Sequence, residues 1–147
     1  MPKKEEAAPT EIEWVSPDSL SNCLKEIKSG GAFVSFGWCD PKLGESAEMV
    51  EDLCGILSKV KKLQALDFDQ CKLSNSNVEI ICESLKKNKS VQTIVLSNND
   101  LGAPAAKAID DLLKLNKSIK HVDLSHNPKI PATFMESIQA QLESRKA

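Results

Sequence analysis

The chain has 147 residues, about one domain's length, and its 41% hydrophobic and 27% charged residues fit a globular protein, not a disordered or disulfide-stapled one. Its 19 Lys and Arg against 21 Asp and Glu leave no net positive charge, which argues against nucleic acid as the partner. No apolar run approaches the ~20 residues that span a bilayer, so no membrane span is expected.

In chain order, the first element is a tail over 1–15, rich in Pro, Ala, Lys and Glu and read as mobile. It lacks an apolar stretch after its lysines, so it is not read as a secretory signal. Residues 1–31 hold four lysines and six acids, and the remainder holds 15 charges of each sign, so the whole formal charge sits at the N-terminal end. A single domain is expected over 16–147. It starts with a cap helix over 17–29, with Ser16 as N-cap and Pro17 at the first helical position. Leu20, Cys23, Leu24 and Ile27 form its apolar stripe, Trp14 and Val15 pack beside its start, and Gly30-Gly31 stops it.

A repeat follows. Leu63 to Leu73, Val91 to Leu101 and Ile119 to Lys129 each fit L-x-x-L-x-L-x-x-N/C-x-L, with Ile130 one residue late in the third copy. Both gaps are 28 residues. A weaker copy begins at Phe33, with Phe36 and Trp38 at the inward positions and Pro41 where Asn or Cys is expected, 30 residues before Leu63. Amphipathic helices are expected after each copy, over 48–61, 77–87, 104–115 and 133–144. The links Lys86 to Ser90 and Lys114 to Ser118 close two of them, each with an Asn suited to a left-handed C-cap. Positions four and six of each copy point inward, and Asn99, Asn127 and Cys71 turn in to satisfy loop backbone groups.

These motifs resemble the leucine-rich repeat family in its 28-residue ribonuclease-inhibitor-like class. The resemblance runs from residue 33 to 145, and the link motif is similar to those of tropomodulins and ciliary repeat proteins. It implies an α/β solenoid of about four strand–helix repeats (33–62, 63–90, 91–118 and 119–145). A parallel sheet lines the concave face and helices line the convex face. It also implies a non-enzymatic protein-binding module, a subunit or adaptor of a cytoplasmic assembly associated with the actin cytoskeleton or a cilium. A regulatory inhibitor of an enzyme is the alternative that the ribonuclease-inhibitor likeness raises. A small enzyme using the His121 region is the other alternative.

The strand residues that project from the concave face are the candidate site: Asp40, Asp67, Asp69, Gln70, Thr93, Val95, Asn98, His121, Asp123 and His126. Their acidic balance favours a protein partner with a basic surface. The lysines at the links, from Lys59 to Lys120, form a second, basic edge; their ordinary role is to complement helix C-termini. His121, Asp123 and Ser125 share one strand face with the acid in the middle, so the acid cannot orient the His while the His activates the Ser. Two histidines, and five cysteines without C-x-x-C pairing, give no metal site. No cofactor is expected, and the pattern sets no oligomeric state. Five cysteines without a secretory signal imply reduced thiols.

Overall fold

A computed structural model describes residues 12–145. Within them lie five α-helices and four strands: α1 (Leu20–Lys28), β1 (Phe33–Ser35), α2 (Ala47–Leu57), β2 (Ala65–Asp67), α3 (Asn75–Leu85), β3 (Thr93–Val95), α4 (Ala103–Leu115), β4 (His121–Asp123) and α5 (Ala132–Glu143). The strands form one parallel sheet in chain order. Each parallel step is crossed by one helix, as parallel connections require. Ala65, Thr93 and His121 are register partners, as are Leu66, Ile94 and Val122. The sheet therefore steps by one 28-residue unit from β2 onward.

The core lies between the sheet and the helices. Leu66, Phe68, Ile94, Leu96 and Leu124 come from the strand side, and Leu53, Leu57, Val78, Ile81, Leu85, Ile109, Leu112 and Leu113 from the helices. Burying each such side chain contributes roughly 1.5–3 kcal/mol before chain entropy is subtracted. The Phe36 and Phe68 rings sit 5.2 Å apart with their planes tilted by 44°, within the range of favourable aromatic pairs.

Two bends per repeat leave backbone groups inside, and buried side chains take them up. At the bend after the strands, Asn99 Oδ1 accepts from Cys71 N and Leu73 N, both at 3.0 Å. Its Nδ2 donates to the carbonyls of Phe68, Leu96 and Ser97. Asn127 repeats the pattern one unit later, accepting from Asn99 N and Leu101 N and donating to Leu96, Leu124 and Ser125. At the bend before the strands, Asn88 Nδ2 donates to Leu57 O, and Asn116 Nδ2 to Leu85 O and Asn88 O. These link asparagines are not left-handed caps. Asn116 has φ −114°, because its side chain, not its backbone twist, takes the carbonyls. Arg145 completes this series, with its guanidinium on the carbonyls of Asn116, Ile119 and Leu113. No sequence pattern signals that role.

The first unit departs from the expected alignment. Val34 pairs with Leu66 and Ser35 with Asp67, a gap of 32 residues, not 30. Val34 and Phe36 are the buried inward pair, and Trp38 is 74% exposed. Cys39, not Pro41, takes the Asn/Cys place and is buried. The reason is an insertion. Three positions separate Cys71 from the α3 N-cap Ser74, whereas seven separate Cys39 from the α2 N-cap Ser46. The added residues form a single 3-10 turn, Leu43–Glu45. A two-residue slip keeps every side chain on its own face, so hydrophobic alternation does not expose the error.

The start of the chain also differs. The N-cap of α1 is Ser19, whose hydroxyl accepts from Asn22 N at 3.2 Å, and not Ser16. Pro17 lies before the helix. Val15, placed in the tail by sequence, pairs with Val34 as a parallel bridge through Val15 N to Phe33 O and Ser35 N to Val15 O, both 2.9 Å. The mobility expected of residues 1–11 falls outside the described residues.

Two substitutions probe this frame. Asn99→Ala strands buried groups on two repeats and is expected to cost roughly 3–5 kcal/mol in urea unfolding, while Asn98→Ala next to it costs about 1 kcal/mol or less. A Cβ on Gly44 would lie 1.8 Å from Lys72 O. Gly44→Ala is therefore expected to lower the unfolding midpoint, at a cost of about 1–3 kcal/mol or more.

Candidate protein-binding face

Strand alternation sends positions three, five and seven of each unit to the face away from the helices. The corrected register sets these rows. Position three carries Phe33, Ala65, Thr93 and His121, and position five carries Ser35, Asp67, Val95 and Asp123. Ala65, Thr93, Ser35 and Val95 are buried even here: strand neighbours stand only ~4.8 Å apart, so taller side chains close over short ones. Thr93 and Val95 thus offer little surface to a partner. His121, Asp67 and Asp123 are half-buried.

The acids are tied into the sheet. Asp67 accepts from Ser35 Oγ at 2.9 Å and from Asp69 N at 2.9 Å. Asp69 Oδ1 accepts from Ser97 Oγ at 2.7 Å and Asn98 Nδ2 at 2.9 Å. Asp123 Oδ1 accepts from Ser125 N and, at 2.7 Å, from Ser125 Oγ. The last bond directs the Ser125 hydroxyl at the acid, the order that a Ser–His–Asp relay does not use. These carboxylates give up part of their hydrogen-bonding capacity to the strand ends.

The surface that remains open is the row at position eight, at the C-terminal ends of the strands: Trp38, Gln70, Asn98 and His126, all exposed. Three of these have left-handed backbone, with φ 55° at Gln70, 60° at Asn98 and 61° at His126. Asn and His adopt that conformation more readily than most side chains, whereas Gln adopts it at a greater cost. The backbone turn that makes each strand end therefore holds its side chain out at a fixed place. Gly37, before Trp38, is held by Lys42, whose ammonium donates to Gly37 O at 2.8 Å. Asp40 lies two positions further on, in step with Lys72 and Asp100, and is exposed. The structure thus brings Asp67, Asp69 and Asn98 into one network and lines up Gln70, Asn98 and His126. It sets Asp40 apart from that line.

Sequence reading missed Phe33 and Trp38, the two aromatics on this side. The signal that could have found them is Cys39, which fits the Asn/Cys place when the gap is taken as 32.

Under the row lies a set of thiols. All five cysteines are free. Cys23 on α1 and Cys39 have sulfurs 3.4 Å apart, and Cys71 Sγ donates to Asp69 O at 3.5 Å. Burial pushes the thiols of Cys23, Cys39, Cys54 and Cys71 above their ordinary value, and that of Cys82 up to about 12. Neutral buried thiols are poor nucleophiles. No grouping of three or more His, Cys, Asp or Glu able to hold a metal ion occurs among the described residues. None of their helices is long and apolar enough to cross a membrane.

No family model and no curated protein matches the chain by sequence. By structure it is similar to actin-binding site 2 of leiomodin-1, with TM-score 0.68 and 13% identity over 88% of this chain and 90% of that one. It is similar also to the tropomodulin C-terminal domain of Caenorhabditis elegans, with TM-score 0.67 and 14% identity over 92% and 85% of the two chains. The shared fold is the strand–helix stack.

The thiols set a pH dependence. The folded protein holds their protons to higher pH than the unfolded chain, whose thiols ionise near 9.0. They therefore leave stability unchanged below that value and remove it as pH climbs from there toward the folded-state value. The unfolding free energy from urea titration is expected to fall between pH 9 and 11 by up to about 1.4 kcal/mol per pH unit per thiol. Cys82→Ala should flatten that slope.

Proposed function

We propose that this chain is a non-enzymatic protein-binding module, a subunit or adaptor of a cytoskeletal assembly, and that it docks its partner on the position-eight row and the acids beside it. The observation that carries this reading is Trp38, 74% exposed at the head of the row. Large aromatics with a polar surround are the side chains on which interfaces concentrate binding energy, and an indole left in water has no part in the fold's own core. Asp40, Asp69 and Asp123 give that row a negative border, which suits a partner with a basic surface. The short strands and side chains fixed by left-handed turns favour a rigid docking face that needs little reordering on binding. The likeness to the leiomodin-1 domain, an actin-binding site in that protein, makes actin the first partner to test; fold alone does not assign it.

The test is a titration of purified monomeric actin against the wild-type chain, Trp38→Ala and Asp40→Lys with Asp123→Lys, with circular dichroism to check folding. Trp38→Ala is expected to weaken binding by about 10–30-fold, equivalent to ~1.4–2 kcal/mol. The charge reversals are expected to slow association and reduce its salt dependence. Wild-type protein that fails to bind actin at micromolar concentration overturns actin as the partner. Equal binding by the wild-type chain and both variants overturns the face.

A further inference from the structure

At the other end of the strands lies a surface of opposite chemistry. The links that lead from helix to strand carry Lys61, Lys89 and Lys117 at one repeat position and Lys59 and Lys87 at another, each 28 residues from the next. The ordinary explanation for lysines here is that they complement helix C-termini. In this protein that role is already filled. The carbonyls that end α2 and α3 are taken by the buried amides of Asn88 and Asn116, and that of Leu113 near the end of α4 by Arg145. The last turns of α2 and α3 hold no basic residue. Only Lys86 and Lys114 among the link lysines are ion-paired within the described residues, to Glu83 and Asp110.

One position breaks the lysine pattern. Where the first two links have Lys59 and Lys87, the third has Leu115, and it is 63% exposed. It lies in a depression of about 290 Å³ with Lys86, Lys89 and Lys117. A second depression, of about 540 Å³, continues along the same edge with Lys61 and Lys62. An isolated exposed leucine needs no explanation. A leucine bordered by Lys86, which is paired to Glu83, and by Lys89 and Lys117, which form no ion pair among the described residues, presents a small apolar floor beside a positive rim.

We infer that this edge is a second docking surface, for an acidic peptide segment of a partner protein that carries an apolar side chain among its carboxylates. Its carboxylates meet the lysine row and its apolar side chain covers Leu115. Charge complementarity selects the sign of the partner, and Leu115 selects a peptide over a nucleic acid. The three links, residues 59–62, 86–90 and 114–120, hold no Phe, Trp or Tyr to stack a base, and the leucine occupies the place where a phosphate contact would need a lysine. A bilayer would find one apolar side chain to take in, too few to anchor it. The inference stands apart from the position-eight row, since it shares no residue with it.

The test is a chemical-shift titration of the ¹⁵N-labelled full chain with a short blocked peptide of glutamates bearing a leucine at every fourth position. The comparison probes are the same peptide with glutamine for glutamate, a single-stranded RNA of equal charge, and phosphatidylserine vesicles. Shifts are expected to gather at residues 59–62, 86–90 and 114–120. The triple variant Lys61→Glu, Lys89→Glu, Lys117→Glu should weaken binding by about tenfold or more, and Leu115→Ser by about fivefold. All four positions are exposed, so the spectra of the variants should keep their dispersion. The inference is overturned by shifts confined to the position-eight row, by equal binding of the glutamine peptide, by tighter binding of RNA or vesicles, or by no shift with any probe. An unchanged affinity in Leu115→Ser also removes the apolar part of the proposal.

Discussion

The structure depends on buried carboxamides that belong to one repeat and satisfy the backbone of another. A strand–helix unit must bend twice, and each bend leaves N–H and C=O groups facing the interior. Asn99 takes two N–H groups of the preceding bend and donates to carbonyls on both sides. Asn127 does the same for the bend that holds Asn99. A unit alone could bury its leucines only by leaving these groups unpaired, which costs about 1–3 kcal/mol for each. Stacking is thus imposed by polar groups as much as by apolar area, and the turns that result have the same shape from unit to unit.

That sameness explains what reaches the surface. Because Gln70, Asn98 and His126 all occupy left-handed turns at equivalent places, their side chains form a row. The first unit joins it by different means. It has Cys39 in place of Asn, an added 3-10 turn, and Gly44 donating to Cys71 O at 2.8 Å. The thiol is a weak hydrogen-bonding group, and here it packs against Cys23 of α1. The first bend is therefore fastened to the helix before it, and the residue ahead of Cys39, the tryptophan, is turned to solvent.

The two ends of the strands come to differ for the same reason. After the strands, the asparagines hold the bend and the residue just before each is pushed outward, which yields a polar, mildly acidic border with an indole at its head. Before the strands, Asn88, Asn116 and Arg145 hold the bend, and of the lysines around them only Lys86 and Lys114 are ion-paired among the described residues. A small fold with its carboxamides inside thus presents unlike chemistry at opposite ends of one sheet.

Sequence alone determined the strand–helix alternation, the 28-residue step from Leu63 to Ile119, the inward residues of the last three units and the inward turn of Asn99 and Asn127. All of these are local periodicities read along one chain. Only the tertiary structure decided the alignment of the first unit, because a two-residue slip preserves the inward and outward faces and the inserted turn hides the true count. It also decided which outward residues stay open. Thr93 and Val95 project from the sheet yet are closed over by their neighbours, while Trp38, expected inward, and Leu115, the last residue of an expected amphipathic helix, stand in solvent. Exposure is set by what lies alongside on the adjacent strand or link, about 28 residues away in the chain, and pattern along a single segment does not carry that information.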